Sequence, residues 1–302
     1  MKYAIFVKLS ELGFDPYIIG THVKNTNITF LKDNVKVRII KKFNEIKEKD
    51  YDILLVNSDQ TWRKWNNDFY NIAFLKFSEN WNIHRFVYGA SLGFNKWKLN
   101  ETDEIIAKNL LKNFTGISVR DKNSVNLVKE HLGLKPTFVL DPTLLIDKKY
   151  YLKIIKNYKN DCINYDYIFI YKVRKSTKID NLETEAFTKL NYKIFNVDMH
   201  KNEYIEKFIY GIYHSKAVIT NSFHATIFSI IFNKPFISFK RNNDGRLETL
   251  KEIFKFRDRI LNYDEKPNIL LLKTPLSFNR ILLNKLKIKS LHYLKKNLNI
   301  IK

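Results

Sequence analysis

The feature that most restricts the fold of this chain is a regular alternation of short apolar runs with helical patterns. Runs rich in β-branched and aromatic residues stop abruptly at polar residues, as in "YDILLV" (51–56), "RFVYGAS" (85–91) and "GISVR" (116–120). Amphipathic stretches lie between them, among them "ETDEIIAKNLLKNF" from Glu101 and "KNSVNLVKEHLG" from Lys122. Strands that alternate with helices form a parallel sheet covered on both faces. The sequence therefore predicts an α/β fold.

The same alternation resumes in the second half of the chain, after a charged connector at 148–161. Here the apolar strand "AVIT" (217–220) and the strand "FISF" (236–239) enclose a helical pattern. At 302 residues the chain is larger than one ordinary core. We therefore predict two Rossmann-like parallel-sheet domains that face a cleft, followed by a helix. The predicted boundaries are 1–150 for the N-terminal domain, 151–285 for the C-terminal domain and 286–302 for a basic amphipathic helix.

The composition limits which kinds of molecule the protein binds and in which cellular compartment we expect it. The net charge of +22 attracts anions, but the lysines are scattered and form no basic and aromatic stripe, so we expect no nucleic acid partner. The single cysteine, Cys162, excludes a disulfide framework and a cysteine zinc site, and it indicates a reducing compartment. The first residues do not form a signal peptide, and no apolar run is long enough to cross a bilayer. We expect a soluble, cytoplasmic protein.

The basic C-terminal helix has two interpretations. Its lysines allow it to lie on an acidic membrane surface, which would place the protein at the inner face of the membrane. The interpretation that we favour is a closing helix that packs on the fold and keeps its lysines in water.

A polar tetrapeptide, Asn221-Ser222-Phe223-His224, interrupts the apolar segment 217–239. We predict that Ser222 caps a helix that begins at Phe223, directly after a buried strand. Ligands of open parallel sheets bind at the carboxyl ends of strands, and a helix amino terminus attracts anions. His224 in the first turn is then a proton donor for chemistry on a phosphate or carboxylate. Taken singly, each residue is more often an ordinary structural residue, such as a cap or turn residue, than a functional one.

Other predicted strands also end in reactive side chains. Ser58 and Asp59 follow the run 51–56, and Arg120 ends the run 116–120. Parallel strands bring these ends to one rim, where Arg120 offers a bidentate grip on a carboxylate or phosphate and Asp59 is a candidate general base. Asp141, which precedes a proline, is interpreted as a turn and domain-hinge residue outside the catalytic set. The sequence contains no pair of histidines at the spacing of metal ligands, so we expect no metal ion.

Five segments in this order, "NSDQTW", "YGASLG", "ISVRDKNS", "VLDPTLL" and "ITNSFHATIFSIIFNKPF", strongly resemble the polysaccharide pyruvyl transferase family, and the likeness continues to about Arg246 and Leu250. The resemblance implies a fold like that of the two-domain GT-B glycosyltransferases, with the active site in the cleft. It also implies transfer of pyruvate from phosphoenolpyruvate to a pair of sugar hydroxyls, which forms a cyclic ketal on cell-surface polysaccharide. The implied partners are phosphoenolpyruvate and a glycan or lipid-linked sugar, with no cofactor.

The resemblance also assigns roles to residues. Arg120 and His224 would bind the donor and catalyse, and Arg246 occupies the position of a further basic residue that faces the cleft. Ser222 stands where some members carry an arginine, so a second donor-binding cation must come from Arg246, Lys240 or Arg241. The full set of expected site residues is His224 and Asp59 for catalysis, Arg120, Asn221, Ser222 and Arg246 for the donor, and Ser58, Gln60, Trp62 and Ser91 on the acceptor side.

Two departures from the family pattern stand out. Asn57 replaces a frequent glycine, which crowds the turn after its strand. The first segment, "MKYAIFVKLSELGFDPYIIG", resembles the family's first helix and second strand, so the family's first strand and its loop have no counterpart. We expect either that Met1 is a downstream start within a longer gene or that this protein has lost part of its site, and its N-terminal sheet would then expose an unpaired edge.

Two other functions remain open at this point. A GT-B glycosyltransferase would hold the diphosphate of a nucleotide-sugar donor at the same helix amino terminus. A truncated, non-catalytic relative in a polysaccharide locus would keep the fold without the activity.

Overall fold

The structure is a computed structural model that describes residues 1–20, 33–64, 68–158, 165–198 and 205–299. Helices and parallel strands alternate along these ranges, so the predicted α/β fold class is confirmed. The strands are β1 (Ile18–Gly20), β2 (Val37–Ile39), β3 (Ile53–Val56), β4 (His84–Val87), β5 (Ser118–Val119), β6 (Thr137–Phe138), β7 (Tyr167–Lys172), β8 (Lys193–Asp198), β9 (Ala217–Thr220), β10 (Phe236–Lys240) and β11 (Ile260–Asn262).

The helical patterns from Glu101, from Lys122 and from Phe223 are helices in the structure, whereas the C-terminal helix begins at Arg280 and so before the predicted residue 286. In chain order the helices are α1 (Lys2–Glu11), α2 (Phe69–Phe74), α3 (Glu101–Leu111), α4 (Lys122–Leu132), α5 (Lys148–Ile155), α6 (Thr177–Leu190), α7 (Ile205–His214), α8 (Phe223–Ile231), α9 (Gly245–Phe254) and α10 (Arg280–Asn297).

The strands of the first half form parallel ladders in two groups. β1 pairs with β2, and β3 pairs with β4. The second group continues through β5 to β6, because Phe86 is bridged to Gly116, Val87 N donates to Gly116 O at 2.9 Å, and β5 pairs with β6. Within the described ranges no ladder joins β1 to β3. The first-half sheet is therefore divided between these two strands.

The second half contains one continuous parallel sheet of five strands in the order β11-β10-β9-β7-β8. All four residues of the central strand β9 are buried, as are all five of β10. Continuous apolar runs of this kind fit strands that are covered by helices on both faces. The carboxyl end of β9 leads directly into α8, which carries the tetrapeptide identified in the sequence.

Two helices tie the halves together. α10 returns to the first half, where Tyr293 Oη donates to Val87 O at 2.8 Å and Ser290 Oγ accepts from Leu140 N at 2.9 Å. α9 is fastened to α4, because Lys122 N donates to Thr249 Oγ1 at 3.0 Å. The domain boundaries at 150 and 285 stay predictions. Among the helices that the structure describes, none combines the length and apolar character needed to span a bilayer.

Candidate active site

The centre of the candidate site is a buried ion pair between Arg120 and Asp141. Arg120 follows β5 and its side chain has no exposed surface; its Nη1 donates to Asp141 Oδ2 at 2.5 Å and to Ser58 Oγ at 3.2 Å. Its Nη2 donates to Asp59 Oδ1 at 3.3 Å, and Met1 Sδ lies against the same guanidinium. We expected Arg120 to grip the donor directly. In the structure its guanidinium instead holds two carboxylates, which orients them.

Asp141 lies in the site rather than in a simple turn, which corrects our interpretation of it as a hinge residue. Its Oδ1 accepts from Thr143 N at 3.0 Å and from Thr143 Oγ1 at 2.6 Å, which is the turn role that the sequence indicates. Its Oδ2 faces Arg120 and lies 3.7 Å from His224 Nε2. Burial alone would raise the pKa of this carboxyl, but Arg120 and His224 hold it well below its usual range. Asp141 is therefore ionised at neutral pH.

His224 lies in the first turn of α8, as predicted, because Ser222 caps that helix. Ser222 Oγ accepts from Ala225 N at 3.3 Å. His224 Nε2 is buried and has no hydrogen-bond partner among the described residues. Burial lowers the pKa of His224, the positive charges of Arg120 and of the amino terminus lower it as well, and Asp141 raises it, with the net effect that the pKa lies below its ordinary value. The resting imidazole is neutral, and its unpaired nitrogen is available for proton transfer to a bound molecule.

The aromatic ring of Phe223 connects this centre to Arg246. The Arg120 Cζ lies 5.1 Å from the ring centroid and the Arg246 Cζ lies 5.3 Å from it. Arg246 also donates to Asp244, with Nη2 to Oδ2 at 2.8 Å and Nε to Oδ1 at 3.1 Å. Cations over an aromatic face are attracted to it, so the ring fixes the position of both guanidinium groups.

Arg63 lies within electrostatic reach of three further arginines, of which Arg246 packs on this ring. Burial lowers the pKa of Arg63, and the positive charges of Arg174, Arg241 and Arg246 lower it further. Arg63 follows β3, whereas the other three follow β7 and β10 or begin α9. Like charges placed within electrostatic reach of one another favour a bound anion, which neutralises them. Arg63 and Arg174 were not predicted, since each lies in a loop that the sequence does not mark as part of a site.

The other predicted donor residues have structural contacts. Asn221 Oδ1 accepts from Val173 N at 2.8 Å, and its Nδ2 donates to Arg174 O at 3.0 Å. Asn221 therefore positions the loop that carries Arg174, and its assignment to donor binding stays a prediction. Lys240 is buried and pairs with Glu248 at 2.6 Å, so it is no second donor-binding cation. Arg241 remains such a candidate.

The four acceptor-side candidates separate into two groups. Ser58 is buried against Arg120, and Gln60 lies over Gly93 and accepts from Arg63 Nη1 at 3.1 Å, so both border the site. Trp62 is 1 % exposed and donates from Nε1 to Ala73 O at 3.2 Å, inside the first-half core. Ser91 is fully buried, and its Oγ accepts from Gly93 N. The structure therefore corrects the assignment of Trp62 and Ser91 to an acceptor surface.

Asp59 lies at the open side of the centre, with 57 % of its side chain exposed. One oxygen, Oδ1, accepts from Gln60 N at 2.7 Å as well as from Arg120. Among the described residues, no group of three or more histidine, cysteine, aspartate or glutamate side chains is arranged to hold a metal ion.

The family model for polysaccharide pyruvyl transferase matches residues 3–243, which is most of the chain. The chain therefore belongs to this family, as its motifs indicated. No curated protein matches the sequence.

Solved structures share the fold at low sequence identity. The UDP-GlcNAc 2-epimerase of Methanocaldococcus jannaschii in complex with UDP-GlcNAc and UDP has a TM-score of 0.57 and 16% identity, over 96% of this chain and 95% of that chain. S. aureus MnaA in a co-structure with UDP has a TM-score of 0.58 and 12% identity, over 99% and 93%. These likenesses confirm the predicted GT-B-like fold.

Proposed function

We propose that this member of the polysaccharide pyruvyl transferase family transfers pyruvate from phosphoenolpyruvate to two hydroxyls of one sugar. The product is a cyclic ketal on a polysaccharide or on its lipid-linked precursor. One observation carries the proposal: the buried His224 Nε2 has no hydrogen-bond partner among the described residues, lies 3.7 Å from an ionised carboxylate and follows Phe223, whose ring contacts Arg120 and Arg246. A proton donor next to an anion site is what this reaction requires.

The donor carries a carboxylate and a phosphate, so its binding needs several cations. The arginine cluster, Arg63, Arg174, Arg241 and Arg246, provides guanidinium groups from both halves, and α8 begins at Phe223, whose ring contacts Arg246. Arginine binds both anions in bidentate fashion. We assign donor binding to this cluster and to the helix terminus.

In the proposed reaction, protonated His224 delivers its proton to the methylene carbon of the enol, which becomes the methyl group. The neighbouring carbon develops oxocarbenium character, and a first sugar hydroxyl attacks it and forms a C–O bond. The C–O bond to phosphate then breaks, and the second hydroxyl closes the ring. Of the two hydroxyl protons, one restores His224 and the other leaves with phosphate. We assign Asp59, the exposed carboxylate, as the base that accepts a hydroxyl proton first.

Arg120 and Asp141 position the acid. Asp141 stays ionised because Arg120 lies beside it, and its carboxylate attracts the imidazolium form of His224. A bound dianionic phosphate favours the same protonated form. Donor binding would therefore convert His224 from the neutral resting state into the acid.

The test is incubation with phosphoenolpyruvate and a panel of lipid-linked and oligosaccharide acceptors, with measurement of phosphate release and of product mass. We expect acceptor-dependent phosphate release, and a loss of about 10²–10⁴-fold in rate for His224→Gln, the usual contribution of a general acid. His292→Gln, which changes an exposed histidine on α10, is the matched control and should keep full activity. Full turnover of folded His224→Gln would contradict the assignment of the acid.

A second candidate, a glycosyltransferase with a nucleotide-sugar donor, is favoured by the solved structures of similar fold, which hold UDP or UDP-GlcNAc. The same arginines suit a diphosphate. The acceptor panel separates the two functions, because transfer from a UDP-sugar without any phosphate release from phosphoenolpyruvate would exclude pyruvyl transfer.

A further inference from the structure

The outward face of α10 carries the two most exposed large apolar side chains in the described part of the chain. Ile281 is 71% exposed and Ile288 is 68% exposed. The two residues lie two helical turns apart, so both side chains point the same way. Single exposed apolar residues are common on protein surfaces, but these two lie on one stripe of one helix and form a small apolar face.

The opposite face of α10 is packed on the fold. Tyr293 is 8% exposed, and Leu294 has no exposed surface. Hydrogen bonds of Tyr293 and Ser290 hold this inner face on the first half of the molecule. α10 therefore has apolar side chains on two sides, and the fold covers only one of them.

Basic residues surround the exposed isoleucines. α10 contains six lysine and arginine residues and no acidic residue. Lys285 lies one turn after Ile281, and Lys289 lies next to Ile288. Both lysines are exposed, and so is Lys296, two turns after Lys289. The outward face of α10 therefore combines positive charge with apolar surface.

The protein does not neutralise this charge itself. Within the described ranges, no ion pair joins a basic residue of α10 to an acidic side chain. Exposed lysines of other helices do have acidic partners: Lys189 pairs with Glu185 in α6 at 2.7 Å, and Lys108 lies 4.0 Å from Glu104 in α3. The positive charge of α10 is thus available to an external partner.

We propose that the outward face of α10 docks on an acidic lipid bilayer; this docking face consists of Ile281, Lys285, Ile288, Lys289 and Lys296. A bilayer surface offers both kinds of partner at once, because anionic headgroups attract the lysines and the acyl boundary beneath them takes up the isoleucine side chains. Since only two isoleucines enter and α10 stays packed on the fold, the attachment is peripheral and reversible. This inference does not rest on the proposed function.

Two other occupants fit the docking face less well. A nucleic acid backbone would pair with the lysines but offers isoleucine no apolar surface, and proteins that bind single strands stack the bases on aromatic side chains. A second copy of this chain, related by a two-fold axis, would bring the same lysines against one another, and like charges at an interface repel. Charge complementarity together with the isoleucines therefore selects the bilayer.

The experiment measures sedimentation of the full chain with two kinds of vesicle, phosphatidylcholine alone and phosphatidylcholine mixed with phosphatidylglycerol. Because the net charge of +22 attracts any acidic surface, the test needs variants that are matched in charge. Lys285→Gln with Lys289→Gln removes two charges from the docking face. Lys129→Gln with Lys189→Gln removes two exposed lysines from α4 and α6 and is the control.

A second pair of variants tests the apolar part of the docking face. Ile281→Gln with Ile288→Gln removes both exposed isoleucines. The control, Ile105→Gln with Leu270→Gln, removes two side chains that are 60% and 62% exposed elsewhere. All four side chains lie mostly in water, so we expect every variant to fold and to keep the melting temperature of the wild-type protein.

A measurement on the wild-type chain makes the test independent of the variants. Acetylation of lysines by acetic anhydride is followed by mass spectrometry with and without the acidic vesicles. We expect the vesicles to protect Lys285, Lys289 and Lys296 from acetylation, and to leave Lys129 and Lys189 as reactive as before.

We expect binding to the acidic vesicles and little binding to phosphatidylcholine alone. The docking-face lysine variant should bind at least about tenfold more weakly, at roughly fivefold for each basic residue near the surface. The docking-face isoleucine variant should lose about tenfold, because its side chains no longer leave water. Both control variants should bind as the wild-type protein does.

Four outcomes overturn the proposal. The first is no binding to acidic vesicles. The second is an equal loss for the two lysine variants, which would show attraction by net charge alone. The third is unchanged binding of Ile281→Gln with Ile288→Gln. The fourth is binding of duplex DNA, or self-association, that depends on the docking face while vesicles leave its lysines unprotected.

Discussion

The two sheets of the molecule arise from the same sequence pattern but differ in continuity. In the second half, five strands form one sheet and every residue of β9 is buried. In the first half, β3 has alternating burial and borders a groove that separates it from β1, although its sequence, Ile-Leu-Leu-Val, is as apolar as that of β9. The comparison shows that the burial of an apolar strand depends on the elements packed around it and not on its own sequence alone.

The difference matters because the candidate site lies where the halves meet. His224 is held by a helix that starts from the sealed sheet, whereas Asp59 and the residues around Met1 adjoin the groove. We therefore expect the second-half part of the site to be rigid and the first-half part to depend on the buried pair of Arg120 and Asp141.

The largest effect is expected from Asp141→Asn, which tests whether the buried pair holds the first half together. Arg120 would remain buried opposite a neutral amide, and the loss of one partner of a buried pair costs about 3–5 kcal/mol. Urea denaturation measures the change. Asp59→Asn is the control, since an exposed partner contributes at most about 1 kcal/mol. Equal losses of unfolding free energy in both variants would contradict the different roles of the buried and the exposed carboxylate.

The next comparison shortens one strand side chain in each sheet to alanine. Ile219→Ala removes a fully buried side chain from β9 and should cost about 2–5 kcal/mol of unfolding free energy. Leu55→Ala removes a half-buried side chain from the groove wall of β3, and because part of it is already in water we expect a loss of less than about 1.5 kcal/mol. The measurement is again urea denaturation. A loss at Leu55 as large as that at Ile219 would show that the groove is closed in solution.

Tyr293→Phe tests how α10 supports the divided sheet. Its hydroxyl donates to Val87 O on β4, and loss of one such hydrogen bond costs about 0.5–1.5 kcal/mol. Tyr165→Phe is the control, because the Tyr165 ring is exposed and no change is expected. Thermal denaturation of both variants measures the difference. If the two variants have the same melting temperature, the hydrogen bond between α10 and β4 contributes nothing to stability.

The smallest effect concerns pH. Burial lowers the pKa of His224 below its ordinary value of 6.5, so the unfolded chain binds this proton more readily than the native one. The stability from neutral His224 is complete above pH 6.5 and is lost as the pH falls toward the lowered pKa. We expect His224→Gln to reduce the acid sensitivity of the unfolding free energy between pH 7 and pH 5.5, and His292→Gln to leave it unchanged. An unaltered slope in His224→Gln would contradict the burial effect.

The sequence predicts the fold well because its signals are local. Strand runs, the helix that Gly133 ends in a left-handed conformation and the cap at Ser222 all depend on neighbouring residues. The position of Arg120 after β5 and of His224 after β9 also follows from the sequence, but these strands belong to different sheets, so the approach of the two residues depends on how the halves pack.

The errors arise where the partner is distant in the chain. Asp141 forms a turn, as predicted, but its second oxygen meets Arg120 and His224, which only the folded chain reveals. Trp62 follows a strand end, as the residues of the candidate site do, yet its ring is buried in the core. The position of a residue at the carboxyl end of a strand predicts that it lies at the rim of the sheet, but it does not predict the direction of its side chain. Applied to the end of β6, the same rule would have included Asp141.

The most direct test of the account is the thermal shift produced by two ligands, phosphoenolpyruvate and UDP. A ligand that binds the native state stabilises it by about 2.7 kcal/mol at one hundred times its Kd. We predict that phosphoenolpyruvate raises the melting temperature of the wild-type protein and of Arg257→Gln, an exposed control, and raises it much less in Arg246→Gln, while UDP has little effect. Stabilisation by UDP and none by phosphoenolpyruvate would contradict the proposed donor site.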